Sequence, residues 1–155
     1  MLIDNDFILQ FGLPISDEIA TEKIERAIFT AENIIIKPRL GWQLYADIVE
    51  NPTQYETVLN GGLLLEGDKH LYVAGLKAAE AHLSFSILLG ENLNSTTFGT
   101  VLKTDEYSSH ADEDRLRRAI MTHNEIGLQY LNEITEYYHI HNTDKHLPNV
   151  GEELI

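Results

Sequence analysis

Seven histidines and 25 acidic side chains are the material this sequence offers for chemistry. His139, His141 and His146 form the pattern H-x-H-x4-H, and a spacing of two puts imidazoles on one side of an extended segment. A transition metal held there needs a further rigid ligand, with hydrogen bonds that orient the imidazoles. The surrounding HIHNTDKHLPNVGEELI has no apolar periodicity to build that support, so a solvated polar tail is the preferred reading. His82 and His123 fall on predicted helix faces and read as satisfied core or interface histidines. Glu80, with Lys77 near it in an otherwise apolar helix, is the best candidate for a perturbed acid, although a helix face turned partly to solvent is the preferred account. The chain has no cysteine, which excludes disulfides, thiolate catalysis and Cys-ligated zinc. A phosphate-binding loop, a Gly-x-Ser-x-Gly elbow and a His-Glu-x-x-His helix are also missing. The expectation is a protein without catalytic residues, cofactor or metal.

The elements that would position such side chains are mostly helices. With 155 residues, 43% of them hydrophobic, the chain suits one small domain with a single core. A helix over EKIERAIFTAENIIIKP buries Ile24, Ala27, Ile28, Ala31, Ile34 and Ile35 and is expected to end at Pro38. A second, from about Gly41 to Asn51, turns Leu44 and Ile48 inward, with Trp42 as a further candidate. A short third one starts at Asn51-Pro52, carries Tyr55, Val58 and Leu59, and stops at Gly61-Gly62. Residues 63–73 form a small hairpin around Gly67-Asp68 or an irregular arm. From about Tyr72 to Gly90 runs a central helix, apolar on two faces: Leu76, Ala79, Leu83 and Ile87 on one, Ala78, Ala81, Phe85 and Leu88 on the other. The last helix, about Ala111 to His139, has the stripe Leu116, Ile120, His123, Gly127, Tyr130 or Leu131, Ile134 and Tyr138. DFILQFGLPI reads as an edge strand, and residues 140–155 as a flexible C-terminal tail. The fold class is therefore all-α, about five helices, with a minor β element.

Charge narrows the partners. A formal net charge of -14, from 25 acids against 11 Lys plus Arg, repels phosphate backbones and argues against tight nucleic-acid binding. It is compatible with standing near DNA without gripping it. No apolar run is long enough to span a bilayer, and MLIDNDFILQ carries acids where a secretion signal has a basic start.

One segment stays unexplained by a helical core. STTFGTVLKTDEYSSHADEDRLRR begins with the strand formers Thr96, Thr97, Phe98, Thr100, Val101 and Leu102, with Gly99 as a bulge or kink. A lone strand cannot satisfy its backbone groups. Its partner is DFILQF, the 63–73 arm, or a strand of another molecule joined by strand addition. Phe98, Gly99, Val101, Leu102 and Lys103 are thus candidate subunit-interface residues, as are Leu154 and Ile155 at the end of the tail.

Together, IIIKPRLGWQLYADI, YETVLNGG, YVAGLKAAEAHLSFSILL, STTFGTVLKTDEYS, ADEDRLRR and YLNEITEYY resemble the head–tail connector (adaptor) proteins of tailed phages, especially those of Bacteroidetes and the crAss-like phages. The resemblance covers roughly residues 24–138. It implies an all-α virion protein of the head–tail junction, present in the host cytoplasm during assembly. It further implies a ring, dodecameric to match the portal, that docks on the portal protein, meets further tail or ring proteins and extends the channel for dsDNA. Two other readings remain open: a helical protein–protein interaction or regulatory module, and a small metal-dependent hydrolase using His82, His123 or Glu80.

Overall fold

The computed structural model describes residues 1–16, 18–66, 68–93 and 112–145. Its helices are α1 (Asn5–Gln10), α2 (Thr21–Thr30), a π-helical segment (Ala31–Ile36), α3 (Lys37–Leu40), α4 (Trp42–Glu50), a 3-10 turn (Pro52–Tyr55), α5 (Glu56–Asn60), α6 (Leu76–Leu93) and α7 (Asp112–Lys145). Because α2, the π segment and α3 are continuous, and the 3-10 turn runs into α5, these make six helical runs. The strands β1 (Gly62–Glu66) and β2 (Lys69–Val73) pair antiparallel into a two-stranded sheet, Leu64 opposite Leu71. A mostly helical single domain with a minor hairpin is the fold class expected.

α6 is the central helix, and it divides the core in two. Ala81, Phe85, Leu88 and Leu89 pack with Ile3, Ile8, Ile15, Ile24, Ala27, Ile28 and Leu116. Leu76, Ala79 and Leu83 pack instead with Ala31, Ile36, Leu40, Ile48, Val58, Leu59, Leu64, Val73, Leu131 and Ile134. α7 lies along α6 at close range: a Cβ on Gly127 would sit 2.6 Å from Leu83 Cγ, so only glycine admits this approach. Ser86 Oγ also donates to the Ile120 carbonyl across the pair, at 2.8 Å.

Five local expectations need correction. DFILQF is not a strand but the body of α1, because the Asp4 carboxylate caps it by accepting from the Phe7 amide at 2.8 Å, and Ile8 is buried. Pro38 does not end its helix, which runs on to Leu40 and stops at Gly41 (φ 84°). The π turn before Pro38 has already shifted the bonding, the Lys37 amide reaching back five residues to the Glu32 carbonyl. The same extra residue per turn rotates the stripe: Ile36 is buried and Ile34 is 70% exposed. Trp42 faces out rather than in. At the C-terminal end, α7 continues to Lys145, so His139 and His141 lie on a helix and not on an extended segment. His146 lies outside the described residues.

Candidate functional site

None of the interface residues expected from sequence, Phe98, Gly99, Val101, Leu102, Lys103, Leu154 and Ile155, lies among the described residues. The described chain offers instead an exposed apolar face and two polar centres, one half-buried and one fully buried.

The surface is the outer face of the hairpin. Strand alternation sends Leu64 and Val73 to the core and leaves Leu63, Leu65 and Tyr72 outside, 51%, 62% and 74% exposed. Leu63 is paired across the strands with Tyr72 and Leu65 with His70, so the three apolar side chains share one face. The hairpin is held by its base. Gly61 (φ 89°) and Gly75 (φ 99°) press backbone against backbone, and a Cβ on Gly75 would stand 2.5 Å from the Gly61 nitrogen and 2.7 Å from the Leu59 oxygen. Sequence left a hairpin or an irregular arm open here, and the hairpin is what forms. Sequence also did not separate the two faces, because LLLE carries leucine on both.

The first polar centre joins α6 to α7. His82 Nδ1 and His123 Nδ1 are 2.9 Å apart. The ring planes differ by 19° and the centroids are 5.1 Å apart, about the nitrogen separation plus two ring radii. The rings therefore meet edge to edge, and one imidazole donates its Nδ1–H to the other's lone pair, which demands complementary tautomers. Phe11 and Tyr130 pack edge-on against His82, and Phe85 against His123. Burial, then His123, pushes His82 down to about 4, and burial lowers His123 also. Folded-state values below the unfolded ones mean that the stability from this pair is present above the ordinary imidazole range and is lost as pH falls towards 4. The imidazole NMR signal of His82 should therefore titrate near pH 4. A midpoint near the ordinary histidine value would refute the half-buried, hydrogen-bonded arrangement.

The second centre lies at the seam between the two halves of the core. Glu32, from the π segment, and Glu80, from α6, are both fully buried. Glu32 Oε1 accepts from the Leu2 amide and the Tyr45 hydroxyl, each at 2.9 Å, with the N-terminal ammonium at 4.0 Å. Both Glu80 oxygens, Glu32 Oε2 and Ser84 Oγ have no hydrogen-bond partner. Burial first, then the charge of Glu32, pushes the Glu80 carboxyl up to about 9, so it is neutral at pH 7. Glu80 is thus buried rather than turned to solvent, and Lys77 does not pair with it but stands over the Phe7 ring, 5.8 Å from its centroid. Sequence reasoning missed Glu32. The available signal was its place four residues after Ile28 and eight after Ile24, an acid in an apolar row.

Among the described residues, no group of three His, Asp or Glu side chains is arranged to hold a metal ion, and no helix is long and apolar enough to cross a membrane. Comparison with known proteins gives one family: the family of unknown function DUF6712 matches residues 36–144, from the end of the π segment to the last turn of α7. No curated protein and no solved structure matches the chain.

Proposed function

The chain belongs to the family of unknown function DUF6712, and we propose for it a structural role in a tailed-phage particle: a head–tail connector that assembles as a ring beneath the portal and extends the DNA channel. The observation that carries this reading is the hairpin. A small domain seldom leaves two leucines and a tyrosine together on one face of a sheet unless another protein covers them. The outer edges of a two-stranded sheet also leave backbone groups for strand addition. The net charge of -14 suits a wall past which DNA moves without sticking. In this reading the role involves no catalysis, the neighbours are the portal ring, further copies of the chain and other tail proteins, and the place is the virion junction. Phe98–Lys103, Leu154 and Ile155 belong to the proposal as additional contacts. A helical interaction module of a cell would use the same face, and affinity for a portal ring separates the two.

The test is a paired substitution. Leu65→Glu with Tyr72→Glu should leave thermal stability nearly unchanged, since both side chains are mostly exposed. On a portal ring it should weaken binding by about tenfold or more, because a buried charge without a partner opposes docking. Binding at wild-type strength by the folded double variant would remove the hairpin from the interface.

A further inference from the structure

We propose that the Glu32–Glu80 carboxyl pair is a proton-dependent latch that fastens the N-terminal strap, residues 1–15, over the seam of the core. The strap touches both halves: Ile3, Ile8 and Ile15 belong to the first cluster, and Leu2 packs on the second. Its polar anchor is the Leu2 amide on Glu32 Oε1, at 2.9 Å. Glu32 reaches the seam because it continues the apolar row of α2, four residues after Ile28 and eight after Ile24, and it lies in a π turn, a feature that recurs where helices carry functional groups. The inference goes beyond the connector reading and does not depend on it.

The groups facing Glu80 are Glu32 from the π segment and the N-terminal ammonium, together with the Ile3 backbone. Tyr45 from α4 faces Glu32. With Glu80 protonated, one negative charge in this dry seam is met by the Leu2 amide, the Tyr45 hydroxyl and the ammonium. Loss of the Glu80 proton places a second carboxylate there, opposed by Glu32 and by burial, with only the Ile3 backbone and the ammonium to favour it and no well-formed hydrogen bond on either oxygen. Both charges regain water only if a covering element lifts. Two elements end polar bonds on this pair, α4 through the Tyr45 hydroxyl and the strap through the Leu2 amide and the ammonium. Of these the strap is the one that lies across both halves of the core, whereas α6 and α7 are committed along their length to each other. Ionisation therefore opens the strap before the rest of the domain, a local opening distinct from global unfolding.

Amide hydrogen exchange on the full chain tests this, with rates corrected for the intrinsic effect of pH. In the wild type, protection of residues 1–15 should fall by about tenfold or more from about pH 7 to about pH 10, while peptides of α6 and α7 stay protected. In Glu80→Gln, which has no proton to lose, the strap should stay protected throughout. Limited proteolysis within the strap supplies a second measure and should accelerate with pH in the wild type alone. Constant strap protection in the wild type, equal loss in Glu80→Gln, or simultaneous loss in α6 and α7 would each overturn the latch. Failure of the portal-binding test leaves these outcomes unchanged, so the two proposals fall separately.

Discussion

Replacing Glu80 by glutamine should raise thermal stability at pH 8 and leave it nearly unchanged at about pH 4.5. The sign follows from proton linkage. The folded state holds the Glu80 proton up to about pH 9, while the unfolded chain releases it near the ordinary glutamate value. Between those limits the folded state binds more protons, so stability falls as pH rises. At pH 7 this amounts to about 3 kcal/mol, two to three pH units at about 1.4 kcal/mol each. Glutamine keeps the shape and the neutral charge and offers Glu32 a donor, so it avoids the loss. Some of the gain is offset by the second amide hydrogen, for which the seam offers no assured partner. The expected rise is several degrees in Tm, at roughly 2–4 °C per kcal/mol for a domain of this size. Thermal unfolding of both proteins across pH measures it. A variant less stable than wild type above about pH 5, by a deficit that shrinks at lower pH, would mean that Glu80 is ionised in the fold and paired.

The histidine pair acts in the opposite direction over part of the range. His82 and His123 lose stability as pH falls towards 4, whereas the Glu80 contribution grows over that interval. The wild-type profile should therefore be shallow on the acid side and decline on the alkaline side, where Glu80 acts alone. Glu80→Gln should expose the acid slope of the histidines. Two polar centres, one half-buried and one fully buried, each unfavourable at one end of the scale, thus hold the stability maximum at mildly acidic pH.

The helices were legible because their apolar residues recur at helical spacing. Both faces of α6 and nearly the whole α7 stripe, from Leu116 through Gly127 to Ile134, could be read from sequence. What escaped depended on geometry that the spacing does not carry. A π turn cannot be seen in AENIII, yet it exchanges Ile34 for Ile36 in the core. DFILQF has the composition of a strand, and one capping carboxylate, Asp4, makes it a helix. His82 and His123 are 41 residues apart, and each read alone is an ordinary core histidine. Only the crossing of α6 and α7 turns them into a pair. The same holds for Glu32 and Glu80, whose meeting is decided by tertiary packing.

The other large effect expected is at the base of the hairpin. Gly75→Ala should cost roughly 3 kcal/mol or more, because two penalties add there. The backbone sits at φ 99°, where a side chain is strained whatever the space. The new Cβ would also meet the Gly61 nitrogen at 2.5 Å, the Leu59 oxygen at 2.7 Å and the Asn60 carbonyl carbon at 2.9 Å. All three are backbone atoms, so no side-chain rotation relieves the contact, and the strand leaving the hairpin must separate from the chain entering it. That movement reaches α6 as well, since the Ala79 amide bonds to the Gly75 carbonyl at 3.1 Å in its first turn. Gly12→Ala supplies the control. It has a similar backbone, φ 96°, and nothing within 4 Å of the added carbon, so it should lose only about 1 kcal/mol. Denaturant unfolding of both variants separates conformational strain from collision. Where Gly75→Ala remains folded, the proposed connector role expects portal binding to fall too, because the face carrying Leu63, Leu65 and Tyr72 is aimed by this contact. Equal losses for the two variants would show that the hairpin base has slack, and the face would then be positioned by Leu64 and Val73 packing alone.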